Sequence, residues 1–82
     1  MNISILTPDR SIYSGPITAV KVPGTSGEFQ VLNNHAPIVS SLDAGKVTVK
    51  KQDGSEMVFD IERGFIEVLD NEISLLVQGV QE

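Results

Sequence analysis

Apolar and polar residues alternate along most of this chain. Val20 and Val22, then Phe29 and Val31, fall on one side of their segments, with Lys21, Glu28 and Gln30 between them. Val47 and Val49 alternate with Lys46, Thr48 and Lys50. Met57, Phe59 and Ile61 alternate with Glu56, Val58 and Asp60. Ile73, Leu75 and Val77 alternate with Glu72 and Ser74, while Leu76 is an exception, apolar on the polar side. Successive side chains on a strand point to opposite faces, so a period of two with one apolar face predicts half-buried antiparallel strands. No segment holds the i, i+3, i+4, i+7 spacing for the ~11–12 residues of an average helix.

Turn-forming residues separate the apolar runs: Ser14-Gly15-Pro16, Pro23-Gly24, Ser26-Gly27, Asp43-Ala44-Gly45, Asp53-Gly54, Arg63-Gly64 and Asp70-Asn71. Asp53-Gly54 and Asp70-Asn71 read as tight hairpin turns of type I′, which need positive φ at both central residues. Short strands with regular turn signals predict an all-β fold, a sandwich or flattened barrel with mostly local antiparallel pairing. Its Val, Ile and Phe faces would be buried between two sheets. No linker, repeat or low-complexity run divides the 82 residues, which suit one domain spanning 1–82.

Composition narrows the function. A domain this small buries only about 60% of its unfolded surface, so its stability margin is thin. Apolar residues at 40%, spread along the chain, argue against disorder. The absence of cysteine removes disulfides and thiolate metal sites. Met1-Asn2-Ile3-Ser4-Ile5-Leu6 lacks the basic region of a signal peptide, and no run approaches the ~20 apolar residues of a membrane span, so direct membrane insertion is not expected. The net charge is −5, and the six basic residues are scattered apart from Lys50-Lys51. Binding to nucleic acid draws its affinity from Lys and Arg on phosphates, so that class of partner is not expected either.

The candidate chemistry is sparse. His35 is the single histidine, with no oriented base and nucleophile for a triad and too few companions for a zinc site. The residues suggest instead a histidine that bonds backbone at a strand-entry corner beside Pro37. Asp43, Asp53 and Asp70 lie in turn sequences, where Asp bonds its own backbone. Gly24-Thr25-Ser26-Gly27 lacks the GxxxxGK[ST] pattern of a phosphate loop. No catalytic, cofactor-binding or metal residue is therefore assigned. One alternative is a biotinyl- or lipoyl-type carrier domain, also acidic, all-β and of about this length. Its modified lysine sits at a hairpin tip. Lys46 after Asp43-Ala44-Gly45 is the nearest candidate, but it opens an alternating strand and lacks a Met-Lys-Met or Asp-Lys-Ala setting.

Gly27-Glu28-Phe29-Gln30-Val31-Leu32-Asn33-Asn34-His35-Ala36-Pro37-Ile38, followed by Leu42-Asp43-Ala44-Gly45, closely resembles the N-terminal β domain of the epsilon subunit of F-type ATP synthases. The resemblance runs from Leu6-Thr7-Pro8-Asp9-Arg10 and Tyr13-Ser14-Gly15 to Gly64-Phe65-Ile66-Glu67-Val68 and Leu75-Leu76-Val77, nearly the whole chain. It implies a flattened β-sandwich of roughly ten strands, at the upper end of usual sheet sizes. It also implies a non-catalytic rotor subunit of the central stalk that binds the gamma subunit and rests on the c-ring. Such a subunit couples proton or sodium translocation to ATP synthesis, peripherally, at the cytoplasmic face of the bacterial inner membrane. Position by position, the resemblance assigns Thr7, His35 and Ser40 to gamma contact and Glu28 to c-ring contact.

Most bacterial relatives carry a helical hairpin after this domain, whereas this sequence stops at Gly79-Val80-Gln81-Glu82. Residues 78–82 reach at most ~18 Å and are too few for a stable isolated helix. The expectation is a domain without the helical brake on ATP hydrolysis, in which removing the residues after Gln78 leaves hydrolysis and ion pumping unchanged.

Overall fold

Each alternating segment becomes a strand in the computed structural model, which describes residues 1–81. The strands are β1 (Asn2–Leu6), β2 (Ser11–Gly24), β3 (Gly27–Leu32), β4 (Ile38–Leu42), β5 (Gly45–Lys51), β6 (Glu56–Ile61), β7 (Arg63–Leu69) and β8 (Glu72–Gln78). The described residues include no helix. Inward positions follow the period: Ile3 and Ile5, Val20 and Val22, Val47 and Val49, Phe59 and Ile61, Ile66 and Val68, then Ile73, Leu75 and Val77 form one core. No polar or charged residue is buried among those described, so burial here carries no cost of desolvating a polar side chain.

Two layers enclose that core. In one, the first half of β2 pairs with β1, followed by β8, β7 and β4; in the other, β3 lies beside the second half of β2, then β5 and β6. β2 belongs to both. At about 3.3 Å per residue its 14 residues would span about 46 Å if straight, yet the longest molecular extent is 27 Å. The strand therefore curls. Asn2 pairs with Pro16, while past that point Ile17 pairs with Lys51 of β5 and the register slips between Ile17 and Ala19. Ser14-Gly15-Pro16, which reads as a break in sequence, is the place where one strand changes layers. This is why eight strands are found where the resemblance suggests about ten.

Pairing is antiparallel except between β1 and β8, which run parallel from Asn2↔Glu72 to Leu6↔Leu76. Local hairpin logic does not reach that pair, since its strands lie at opposite ends of the chain. The alternation survives it, and Ile3 faces Ile73 as Ile5 faces Leu75.

The two expected hairpins differ. Asp70 and Asn71 take φ of 51° and 63°, as a type I′ turn between Leu69 and Glu72 demands. Asp53-Gly54 does not form such a turn. There the Gly54 amide donates to the Lys51 carbonyl at 3.1 Å, so Gln52 and Asp53 are the central residues and Gly54 follows at φ 93°. The Asp53 carboxylate explains the shift: it accepts from the Ser55 amide at 2.8 Å and the Ser55 hydroxyl at 2.6 Å, a local turn of its own.

After β8 the chain is not an unattached stub. Asp60 and Gln81 exchange two backbone hydrogen bonds of 2.9 Å each, tying the end of the first layer to β6 of the second. Glu82, the last of the residues whose removal is expected to leave hydrolysis and ion pumping unchanged, lies outside the described residues.

Candidate docking surface

The two sheets present opposite chemistry to solvent. On the layer built from β1, β8, β7 and β4, Leu6 pairs with Leu76, Leu76 with Phe65 and Phe65 with Ser41, so these side chains form one row across four strands. Leu6, Leu76 and Phe65 are 37%, 48% and 40% exposed, and Val39 in the neighbouring row is 59% exposed. A shallow depression of about 390 Å³ follows the row, floored by Leu6, Phe65 and Leu76 and rimmed by Pro8, Arg63 and Gln78. Small monomers seldom leave a contiguous apolar row uncovered, and rows of this kind mark protein contacts. Each such side chain yields about 1.5–3 kcal/mol when fully removed from water, less here in proportion to what remains exposed.

The outer face of the second layer is mostly polar, with Leu32 on β3 exposed beside it. Lys50 pairs with Glu56 and Lys46 with Asp60, and Lys21 stands between Gln30 and Thr48. The Lys46 ammonium lies 3.8 Å from the Asp60 carboxylate. Cross-strand opposites of this sort contribute about 0.2–1 kcal/mol each and hold the face well hydrated. Val58 is the one large exposed apolar side chain of β6.

The four residues singled out in sequence occupy different settings. Thr7 is half-buried and lines the apolar depression. Its hydroxyl oxygen accepts from the amides of Asp9 and Arg10 at 3.2 and 3.1 Å and the hydroxyl donates to the Arg10 carbonyl at 3.2 Å, which fixes the turn between β1 and β2. His35 is also half-buried. Its amide donates to the Leu32 carbonyl at 3.2 Å, and Nδ1 lies 2.7 Å from the Ala36 carbonyl oxygen, so the ring donates from Nδ1. It does anchor a strand-entry corner through backbone.

Ser40 shares the inward side of β4 with Ile38 and Leu42, and its hydroxyl donates to the Ser41 carbonyl at 3.2 Å. Val39 and Ser41 are the residues that β4 turns outward. Glu28 is exposed at the start of β3, opposite Pro23, on the polar layer. Bonds from the Thr25 amide to the Ser41 carbonyl (3.1 Å) and from the Asp43 amide to the Pro23 carbonyl (2.8 Å) tie that hairpin to the end of β4. Thr7 thus adjoins the apolar row, Ser40 underlies the strand bordering it, and Glu28 belongs to the other face.

The row itself escaped the sequence reading, which treated Leu76 as an exception. A usable signal was present in apolar doublets: Ile5-Leu6, Phe65-Ile66, Leu75-Leu76 and Ile38-Val39. On a strand, adjacent apolar residues place one on each face. Four doublets on neighbouring strands therefore encode a second apolar face.

Lys46 is inside the β5 ladder opposite Asp60, away from any hairpin tip, so it lacks the placement of a carrier lysine. Among the described residues no three His, Asp or Glu side chains gather as a ligand set, and no helix is long and apolar enough to cross a membrane.

The family model for the ATP synthase delta/epsilon chain β-sandwich domain matches residues 1–82. Curated relatives named ATP synthase epsilon chain include one from Chlorobium limicola, 42% identical over 78 residues, covering 95% of this chain and 89% of the relative. Another, from Caulobacter vibrioides, is 41% identical over 83 residues, covering 100% and 94%. A third, from Leptospira borgpetersenii, is 38% identical and is itself covered over only 59% of its length. The fold recurs in the mitochondrial ATP synthase of Euglena gracilis, with a TM-score of 0.88 and 23% identity over 96% of this chain and 51% of that one. It recurs again in the central stalk and c-ring assembly of the Tetrahymena thermophila enzyme, with a TM-score of 0.85, 16% identity, and coverage of 100% and 66%. An all-β sandwich with this register and these relatives leaves one assignment: the chain belongs to the ATP synthase delta/epsilon β-sandwich family and is an epsilon-type subunit of that complex.

Proposed function

We propose that residues 1–82 act as a single non-catalytic head of the central stalk, binding the gamma subunit and touching the c-ring so that ion translocation is coupled to ATP synthesis. The observation that carries this reading is the Leu6–Leu76–Phe65 row, an apolar face on a domain whose other face is charged. A stalk partner covers about 800 Å² in a standard interface, roughly a sixth of the 4680 Å² surface of this domain. Gamma docks on the layer of β1, β8, β7 and β4, with Thr7 at one end of the row, Ser40 behind the outward Val39 and Ser41, and His35 holding the corner that enters β4. Glu28, on the other layer, reaches the polar loops of the c-ring, where a rim carboxylate contributes register more than affinity. This subunit sits peripherally, at the cytoplasmic face of the bacterial inner membrane, and makes no insertion of its own.

Torque transfer asks for stiffness, and an apolar core with no buried polar side chain among the described residues supplies it. The test is retention of gamma from the assembled complex by the immobilised chain, washed at high salt. Wild type should retain gamma and Leu76→Asp should lose it. Retention of a carboxylase or an acyltransferase in place of gamma would overturn the reading.

A further inference from the structure

Beyond β8 the chain makes a short return that the docking reading does not require. Gly79 sits at φ 69°, a conformation that costs other residues dearly, and a Cβ there would strike the Glu62 side chain. The Glu62 amide donates to the Gln78 carbonyl at 2.9 Å, and Asp60 and Gln81 then exchange both their backbone bonds. Val80 lies between them, half-buried against the core. Asp60 directs its N–H and C=O toward Gln81, so its pairing with Lys46 is of the non-hydrogen-bonded kind. Without the return, that amide would face water.

The same residues shape the docking face. Gln78, Gly79 and Val80 wall a polar depression of about 430 Å³ that also takes in Thr7, Pro8 and Arg63. Thr7, Pro8, Arg63 and Gln78 line the apolar depression as well, so the two hollows adjoin. Moving Gly79 and Val80 moves a wall of the polar hollow, which adjoins the Leu6–Leu76–Phe65 row through Thr7, Pro8, Arg63 and Gln78.

We propose that Gly79–Gln81 is a latch. Closed, it covers the outer edge of β6 and completes the end of the docking face; open, it uncovers that edge and removes the wall, and its state regulates docking. Among the described residues, the segment beyond the hinge is held by the two Asp60–Gln81 backbone bonds and one half-buried valine, against the seven paired positions that join β7 to β8, the last of them Arg63–Gln78. It therefore opens while the sandwich remains folded, as segments with few buried contacts do. Its hinge is Gly79. The regulatory half of the proposal rests on the gamma-docking reading; the latch does not.

The experiment is residue-resolved amide exchange on the full chain, wild type against Gly79→Val, together with affinity for the gamma subunit of the same ATP synthase. A β-branched residue at a left-handed position shifts the latch toward open by about tenfold or more. Asp60 should exchange faster by that factor while Glu62, Ile66 and Leu75 keep their rates, and gamma affinity should fall by about fivefold or more. Unchanged exchange at Asp60 would sink the latch. Faster exchange with unchanged affinity would sink its regulatory role. A wild-type chain that does not bind gamma would sink the docking reading and the regulation together, with exchange still judging the latch. Should Gly79→Val fail to fold, Gln81→Pro removes one bridge donor without touching the hinge and carries the same expectations.

Discussion

Asn34 and Asn71 clasp each other across 37 residues of sequence, the Asn34 amide donating to Asn71 Oδ1 at 2.7 Å and Asn71 Nδ2 to Asn34 Oδ1 at 3.1 Å. Both sit at positive φ, 64° and 63°, which asparagine tolerates better than most residues. The pair joins the corner between β3 and β4 to the β7–β8 turn, and so holds His35 in place. Asn71→Gly keeps the backbone freedom and removes both bonds. It should cost about 1–2 kcal/mol in denaturant unfolding. Adding Asn34→Gly to that variant should cost less than the same change in wild type, because the one bond the Asn34 side chain shares with Asn71 is already gone. Strictly additive costs would mean that this side-chain bond contributes nothing, since Asn34→Gly keeps the backbone donor of the other.

Phe65 and Ile66 are neighbours with opposite duties, 40% and 0% exposed. Ile66→Ser opens a cavity in the core and buries a hydroxyl, so a loss of about 3 kcal/mol or more is expected. Phe65→Ser should change stability by about 1 kcal/mol or less while weakening gamma binding by about thirtyfold or more, the signature of an interface anchor. Equal effects of the two substitutions on stability would place the apolar row inside the fold rather than on a partner.

Phe59 lies on β6, the outermost strand of the second layer, with its side chain buried in the core at 2% exposed. Phe59→Ala should lower stability by about 3–5 kcal/mol, a large share of the total for a domain of this size. Val58→Ala, one position along and pointing to water, should stay within about 0.5 kcal/mol. Denaturation midpoints of the two variants decide it.

The Asp53 carboxyl titrates below its ordinary value of 3.8, first because the Ser55 hydroxyl donates to the charged form and then because the Ser55 amide does. A depressed carboxylate stabilises the fold above its unfolded pKa, and that contribution disappears as pH falls through the lower folded value. The effect belongs to the acid limb, below about pH 4, and Asp53 is fully exposed, so it is small. Carbon-detected NMR titration should give Asp53 a midpoint below 3.8 in wild type, rising toward 3.8 in Ser55→Ala. An unmoved midpoint would rule out the hydroxyl as the cause.

The strands were legible because alternation is a property of the chain itself: Val47, Val49, Ile73 and Leu75 announce their burial by spacing alone. The topology was less so. Nothing local marks β1 and β8 as parallel partners, and Pro16 signals a break when read alone, although Asn2 on β1 accommodates it opposite the bend. Asp53-Gly54 misled because the competing acceptor was a side chain, with Ser55 two residues on. The docking row is written in doublets such as Leu75-Leu76, whose outward members have no period of their own to set against the inward one. Thr7, His35, Ser40 and Glu28 were found through resemblance, and in the fold they share no single face. The inward turn of Ser40 depends on which β4 residues face Ile66 and Phe65, a matter of register that local sequence does not reveal.

The parallel ladder between β1 and β8 also fixes when this domain becomes itself. Asn2 meets Glu72 and Leu6 meets Leu76, contacts separated by about 70 residues, close to the largest separation the chain allows. During synthesis the first strand has only the first half of β2 beside it, and its other edge stays open until the last strand emerges. Ile3 and Ile5 wait in water for Ile73 and Leu75 through that interval. A chain that still lacks β8 is thus an open-edged, sticky fragment, and docking on this layer has to follow synthesis of that strand.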